Sequence, residues 1–497
     1  MKKSLILLIL IPLCGISLLN AQRVVQVAPG VGSLNDAIDG DTTAAGARTD
    51  LNTIYELQDG GVYKLTRSIE NIGKGSDKNP YPLHIRAAAG AVTRPFLQPT
   101  VPSGGSSDRC FRLRANTTLE GIRATNEDDL GTYRDQTLRI SSDNVRLIVR
   151  DCFFEKDAQT LVRCDGANPK LYFYGTTVAF MGRPSSMDNG RFIDPRDSNI
   201  DTVVVEDCAI YGITSRFFRN GNGRYNYVKI DQSTFANSGQ RAFNFADINE
   251  LYFTNNIIMN GAFLGRDEID GDRAIFELEA LPGPDTSIVR ISHNNYFITP
   301  DMAAEYTADP IRTGPLFLDS ITNVYNPANL TSTNFIEVIN FDNGLASVLP
   351  IWTEFVLNGY NGTAINAPWT LTGTPHSFVY SQFNGPVSAA GGTTGQPVGQ
   401  GMLKPTSIDR TMDALGLKAY PNPAQDVFYI DNQDLRSWKQ IRVFDLTGKV
   451  VMKIEQFSGD QLTLSTGDLP NGTYLVKLTD AATNHNVVVR MVKSASW

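Results

Sequence analysis

Through the middle of the chain, apolar and polar residues alternate in bursts of about four, a period of two that suits strands rather than amphipathic helices. Seven bursts recur between residues 109 and 297. They are Leu119-Glu120-Gly121-Ile122, Leu147-Ile148-Val149-Arg150, Leu171-Tyr172-Phe173-Tyr174, Val203-Val204-Val205-Glu206, Val228-Lys229-Ile230-Asp231, Leu251-Tyr252-Phe253-Thr254 and Val289-Arg290-Ile291-Ser292. Alternation turns the first and third residues inward and the second and fourth outward. In six of them a polar pair follows and then an aromatic or branched residue, as in Asp151-Cys152 before Phe154 and His293-Asn294 before Tyr296. The second members of these pairs are Cys152, Thr176, Cys208, Ser233, Asn256 and Asn294. Stacked one above another at about 4.8 Å, they predict a hydrogen-bonded ladder.

An earlier burst precedes each of these, beginning at Arg109, Gln136, Thr160, Arg191, Arg216, Arg241 and Arg273. The third position is apolar and points inward, so the fourth points out: Arg112, Arg139, Arg163, Asp194, Arg219, Asn244 and Phe276. The repeat unit is strand, Asn-rich turn, strand, polar turn, strand and variable return loop. Such a unit, recurring every two to three dozen residues, describes a solenoid. The predicted fold is all-β: a right-handed parallel β-helix followed by a small C-terminal β-sandwich. Stacked coils leave strand edges only at their two ends, which need caps. Residues 24–95 are expected to supply the first cap and early coils.

The two ends of the chain carry different information. Lys2 and Lys3, the apolar run Leu5–Leu13 and the small residue Ala21 make a secretory signal peptide cut after Ala21. Lipoprotein processing at Cys14 is the rival, disfavoured by the bulky Leu13 before it. No later apolar run is long enough to span a membrane. The expected division is therefore a signal peptide at 1–21, a β-helix with its cap at 22–385, a flexible linker at 386–414 and a β-sandwich at 415–497. The 44 basic and 52 acidic residues leave a formal charge of −8, which gives no expectation of a nucleic-acid partner. Four cysteines remain after cleavage and could make two disulfides, but the ladder column asks for Cys152 and Cys208 as buried thiols.

Two resemblances add to this reading. Tyr420-Pro421-Asn422-Pro423, then Ile441–Val451, then Leu469–Leu478 and a last strand over Val487–Lys493 are similar to the C-terminal sorting domain of type IX secretion. That resemblance implies export through the periplasm, handling by the type IX machinery and release or attachment at the outer-membrane surface. The coil pattern itself resembles the pectate-lyase-like superfamily of parallel β-helices, including the alginate lyase and chondroitinase B family. Phe218-Arg219-Asn220-Gly221-Asn222 is similar to the arginine-bearing coil of that family. The resemblance implies Arg219 as acid in a β-elimination, beside a lysine base and a carboxylate-bound Ca²⁺. No lysine occupies the first-strand column, and the nearest substitutes are Arg196 and, on the second strand, Lys229.

The candidate chemistry is thus an acidic, uronate-containing polysaccharide bound by Arg112, Arg139, Arg163 and Arg219, since guanidinium pairs with carboxylate through two parallel hydrogen bonds. Tyr172, Tyr174 and Tyr252 would stack on sugar rings. Glu206 and Asp231, on successive coils, could share a calcium ion. Asp267–Asp272 is a second acidic candidate in an insertion. Two functions fit: a lyase acting on that polysaccharide, and a non-catalytic glycan-binding or adhesion protein of the cell surface.

Overall fold

The computed structural model describes residues 22–494 apart from 102–104, 106–107, 184–187, 220, 246, 268–273, 279–287, 319–332, 340–346, 363–386, 394–396, 401–416, 421–423, 433–436, 446–448 and 482–485. The expected signal peptide and most of the acidic insertion lie outside these residues. Two compact units are present, one spanning Arg23–Pro405 and the other containing Thr406–Trp497.

The first unit is a right-handed β-helix of three parallel sheets. The first sheet runs from Ile69–Glu70 through Phe111–Leu113, Leu138–Ile140, Thr160–Cys164, Arg191–Asp194, Arg216–Phe218, Phe243–Phe245 and Ala274–Leu278 to Leu316–Leu318. The second and third sheets each stack ten strands, beginning at Val24–Val27 and Gly30–Val31. The coils therefore start soon after the expected signal cleavage. Inward residues from all three sheets form one continuous core, including Leu147, Leu171, Val203, Val228 and Leu251 in a single file. Aromatic rings occupy its later coils, with Phe243 and Phe276 stacked 4.9 Å apart.

Each coil bends between the second and third sheets at one residue with positive φ: Gly121, Asp151, Gly175, Asp207, Gln232, Asn255 and His293. That left-handed conformation suits Gly, Asn and Asp best. The following residue points inward and forms the ladder. Ser233 N–H donates to Asn256 Oδ1 at 2.9 Å, Asn256 N–H to Asn294 Oδ1 at 2.9 Å, and Asn294 N–H to Asn334 Oδ1 at 3.1 Å. Cys152 and Cys208 sit in this column as free, buried thiols, and Cys110 and Cys164 are free and buried too. Burial pushes the Cys152 thiol up to about 12.

The register corrects two alignments. The fourth strand of the second sheet is Thr117–Glu120, with Thr117 opposite Leu147 and Leu119 opposite Val149. Gly121 is its bend, and the inward Thr117 is satisfied by Asn71 and the Ala115 carbonyl. Farther along, Phe276 pairs with Phe243 and faces the core, so Glu277, opposite Asn244, takes the outward place expected for Phe276. A slip of one residue exchanges the two faces of a strand.

The first coils and part of one face are covered. Helix α1 (Ser33–Gly40) places Leu34 and Ile38 over the first coils. Helices α2 (Pro300–Ala308) and α3 (Leu349–Leu357) pack Met302, Ile351, Trp352 and Phe355 against Phe263 and Leu264. On the outer side of the third sheet, Phe153, Tyr211, Met259 and Phe297 meet Phe335, Ile339 and Val398. Within the stretch expected as linker, Thr393, Gly399 and Gln400 donate backbone hydrogen bonds to Asn255 and Thr234 of the coils. The paired strands of the second unit are antiparallel, with one three-stranded sheet and one built on Ser437–Asp445, Gly472–Asp480 and Asn486–Lys493. Phe428, Trp438, Val476 and Met491 fill the space between its sheets.

The ladder predicts unequal sensitivities. Asn256→Ala removes the acceptor for Ser233 N–H and leaves the Ile230 carbonyl without its donor at 3.0 Å. Each orphaned buried group costs about 1–3 kcal/mol. Cys208→Ser is nearly isosteric and should cost about 1 kcal/mol. Urea unfolding should rank Asn256→Ala well below Cys208→Ser, and iodoacetamide should label none of the four cysteines until the chain unfolds. Equal midpoints, or alkylation of the native protein, would contradict the ladder.

Candidate functional site

The three outer faces differ in how they handle charge. On the second sheet, residues of opposite sign fall opposite one another in the early coils, and ion pairs link neighbouring coils farther along. Arg86 pairs with Glu56 at 2.6 Å, His84 lies 3.1 Å from Glu120, Arg150 reaches the same carboxylate at 3.2 Å, and Lys229 pairs with Glu206 at 2.5 Å. Such a face closes its charges on itself. On the third sheet the later coils are apolar and covered, whereas the early ones carry Arg123 paired with Glu155 at 2.5 Å.

The first sheet behaves differently, because arginine lands on arginine. Arg112, Arg139 and Arg163 are in direct register on three successive strands. Two like charges about 4 Å apart repel by about 1 kcal/mol in water and about 4 kcal/mol at the effective dielectric of a protein surface. A single carboxylate relieves one such contact. Asp165 is shared between Arg139 and Arg163, the latter at 2.8 Å. Partial burial alone would raise the Asp165 carboxyl, but hydrogen bonds from Arg163 and Arg139 hold it below the usual carboxylate range. Arg112 has no ion pair among the described residues.

The same two-to-one arrangement recurs farther along. Asp194, fully buried, accepts Arg219 Nη1 at 2.9 Å and Arg191 Nη1 at 3.1 Å. Arg241 meets Glu277 at 2.8 Å. These strands are held in line partly by Asp157, a buried carboxylate that accepts the backbone N–H groups of Gln136, Thr137, Gln159 and Thr160. Those residues begin the strands that carry Arg139 and Arg163. The sheet consequently presents a row of guanidinium groups in excess of its carboxylates.

The other candidate residues are distributed elsewhere. Arg219 follows a first-sheet strand, whereas Lys229 lies on the second sheet in Arg224–Asp231, so the supposed acid and base occupy different faces. Burial would lower the Lys229 amine, but the Glu206 charge and hydrogen bond hold it above its ordinary value, and a firmly protonated amine is a poor proton acceptor. Glu206 and Asp231 are brought into register. Glu206, however, holds Lys229, and Asp231 accepts from Thr254 at 2.8 Å and Asn255 at 2.7 Å. That donor set does not fit calcium, which asks for several free oxygen ligands. Among the described residues no cluster of His, Cys, Asp or Glu could hold a metal. Tyr172 and Tyr174 are only 4% and 9% exposed, whereas Tyr252 is half-buried beside Tyr227. The sugar-stacking surface expected of the three tyrosines is thus reduced to Tyr252.

Sequence reading passed over Asp165, Glu277 and the strand-heading arginines Arg191, Arg216 and Arg241. The last three were visible as a column, since each opens a first-sheet burst.

Residues 418–493 match the family model described as a secretion system C-terminal sorting domain. The C-terminal unit is a sorting domain. It marks the chain for type IX secretion, to the exterior or the cell surface, as the ordered motifs in this segment implied. No curated protein matches the chain. In the described residues no helix is long and apolar enough to cross a membrane.

Removing the shared carboxylate tests the charge surplus directly. Asp165→Asn should strengthen retention on an immobilised polyanion, moving elution to higher salt, because Arg139 and Arg163 lose their common partner. Unchanged elution would mean that these arginines do not face the ligand surface.

Proposed function

We propose that the solenoid binds an acidic polysaccharide outside the cell, along the first sheet, without cleaving it. The observation that carries this reading is the in-register row Arg112, Arg139 and Arg163 with one carboxylate, Asp165, for two of its guanidinium groups. Successive strands offer a cation about every 4.8 Å. A chain of uronate or sulfated sugars carries anions at a comparable repeat, and each arginine can grip a carboxylate through two parallel hydrogen bonds. Export by the sorting domain puts this surface where such polymers occur. The lyase reading draws less support, since Lys229 stands on another sheet and is tied to Glu206.

Titration of the mature chain with alginate, pectate and chondroitin sulfate tests the proposal. Binding of at least one polymer is expected, weakening as salt rises because exposed charges are screened within about 8 Å at physiological ionic strength. Arg139→Ala and Arg163→Ala should each weaken it. Ultraviolet absorbance from unsaturated uronates should not grow during incubation, with or without calcium. Absence of binding to every polymer at low salt would refute the proposal, and rising absorbance would restore the lyase.

A further inference from the structure

Among the described residues, Arg216 is the one strand-heading arginine of its column with no carboxylate bonded to it. Its backbone is in register with Arg191, and Arg241 follows in the next coil, where Phe218 faces Phe243. Arg191 is paired with Asp194 and Arg241 with Glu277. Arg216 instead reaches only neutral oxygens. Its Nε donates to Ser215 Oγ at 3.2 Å, Nη2 to Gln240 Oε1 at 3.3 Å and Nη1 to Asn244 Oδ1 at 3.5 Å. The last two are long for charge-assisted hydrogen bonds. Beside it, the buried Nε of Arg191 has no partner among the described residues.

This arrangement leaves a cation, partly shielded from water, between two others. A buried charge without a counter-ion is costly, and such groups are ordinarily paired. Burial, followed by the charges of Arg241 and Arg191, outweighs the opposing charge of Glu277, which is bonded to Arg241 and Asn244, and pushes the Arg216 guanidinium down to about 10, so its surroundings disfavour the charged form as it stands. An anion placed there would reverse that bias.

We propose that Arg216, flanked by Arg191 and Arg241, forms a subsite for one singly charged oxyanion, a carboxylate or a sulfate ester. Ser215, Gln240 and Asn244 hold the guanidinium through long bonds that an incoming oxygen can replace. Arg191 contributes its unpartnered Nε. The inference rests on the acidic-polysaccharide reading only for where the anion comes from. It deepens that reading by giving the surface a fixed point at which one sugar residue is registered, in addition to the open row of Arg112, Arg139 and Arg163.

The test uses the full mature chain with four probes: sodium acetate, sodium sulfate, an oligogalacturonate and a chondroitin sulfate oligosaccharide. Calorimetric titration is run for the unaltered protein, Arg216→Gln, Arg216→Lys and the double variant Arg139→Gln/Arg163→Gln. The expected result is a roughly tenfold or greater loss of affinity for the preferred oligosaccharide in Arg216→Gln, the size of a lost charged hydrogen bond. Arg216→Lys keeps the charge and loses the fork, and should fall between the two. Preference for one oligosaccharide identifies the anion as carboxylate or sulfate ester. Equal affinity in Arg216→Gln and the unaltered protein overturns the subsite. If binding then still falls in the double variant, the polysaccharide reading survives alone. If acetate or sulfate binds in an Arg216-dependent way while no oligosaccharide does, the subsite stands and the polysaccharide reading fails.

Discussion

Parallel in-register stacking makes every position in this solenoid the neighbour of its own counterpart, about 4.8 Å above and below. The backbone hydrogen bonds of three sheets enforce that repeat, and each side chain must tolerate copies of itself. Apolar positions satisfy the condition by packing into a continuous core. The bend between second and third sheets satisfies it by repeating one left-handed residue, and the polar position after it by passing a hydrogen bond from Ser233 to Asn256, Asn294 and Asn334. Charged positions cannot stack with their own kind so easily.

The second and first sheets answer that problem in opposite ways. The second alternates sign in its early coils, where Glu56, Arg86, Glu120 and Arg150 lie in one row and neutralise one another. The first sheet repeats arginine and supplies one carboxylate for each two, at Asp165 and at Asp194. Repulsion of that kind opposes folding and persists only where something else is gained. On a secreted surface, the gain proposed here is an anionic ligand that completes the ladder from outside. The later coils of the third sheet do not compete for this role, because Phe335, Ile339 and Val398 cover them, and Arg123 of its early coils is paired with Glu155.

Much of this fold could be read from the chain, because a solenoid writes its geometry into spacing. Five of the six strand-to-strand steps on the second sheet follow the hydrophobic alternation residue for residue, and the ladder column of Cys152, Cys208, Asn256 and Asn294 is where the polar pairs put it. The failures have local causes. Thr117 is polar yet faces the core with its hydroxyl satisfied, so it hid the start of its strand. The insertion before Ala274 shifted the assignment of Phe276 and concealed Glu277. The site was less legible. The Arg112, Arg139 and Arg163 row follows from period two, but Asp165 sits in a turn, where no periodicity announces it. Burial of Tyr172 and Tyr174, and the packing of Thr393–Gln400 on the coils, depend on chain segments far apart in sequence.

The central claim is that ligand lies along the first sheet and nowhere else on the solenoid. Arginine labelling with phenylglyoxal, mapped by mass spectrometry with and without a saturating acidic polysaccharide, reads this directly. The account predicts protection of Arg112, Arg139 and Arg163 by the polymer, with exposed Arg290 of the second sheet labelled equally in both conditions. Labelling of the first-sheet arginines that the polymer leaves unchanged, or protection confined to Arg290, would contradict it.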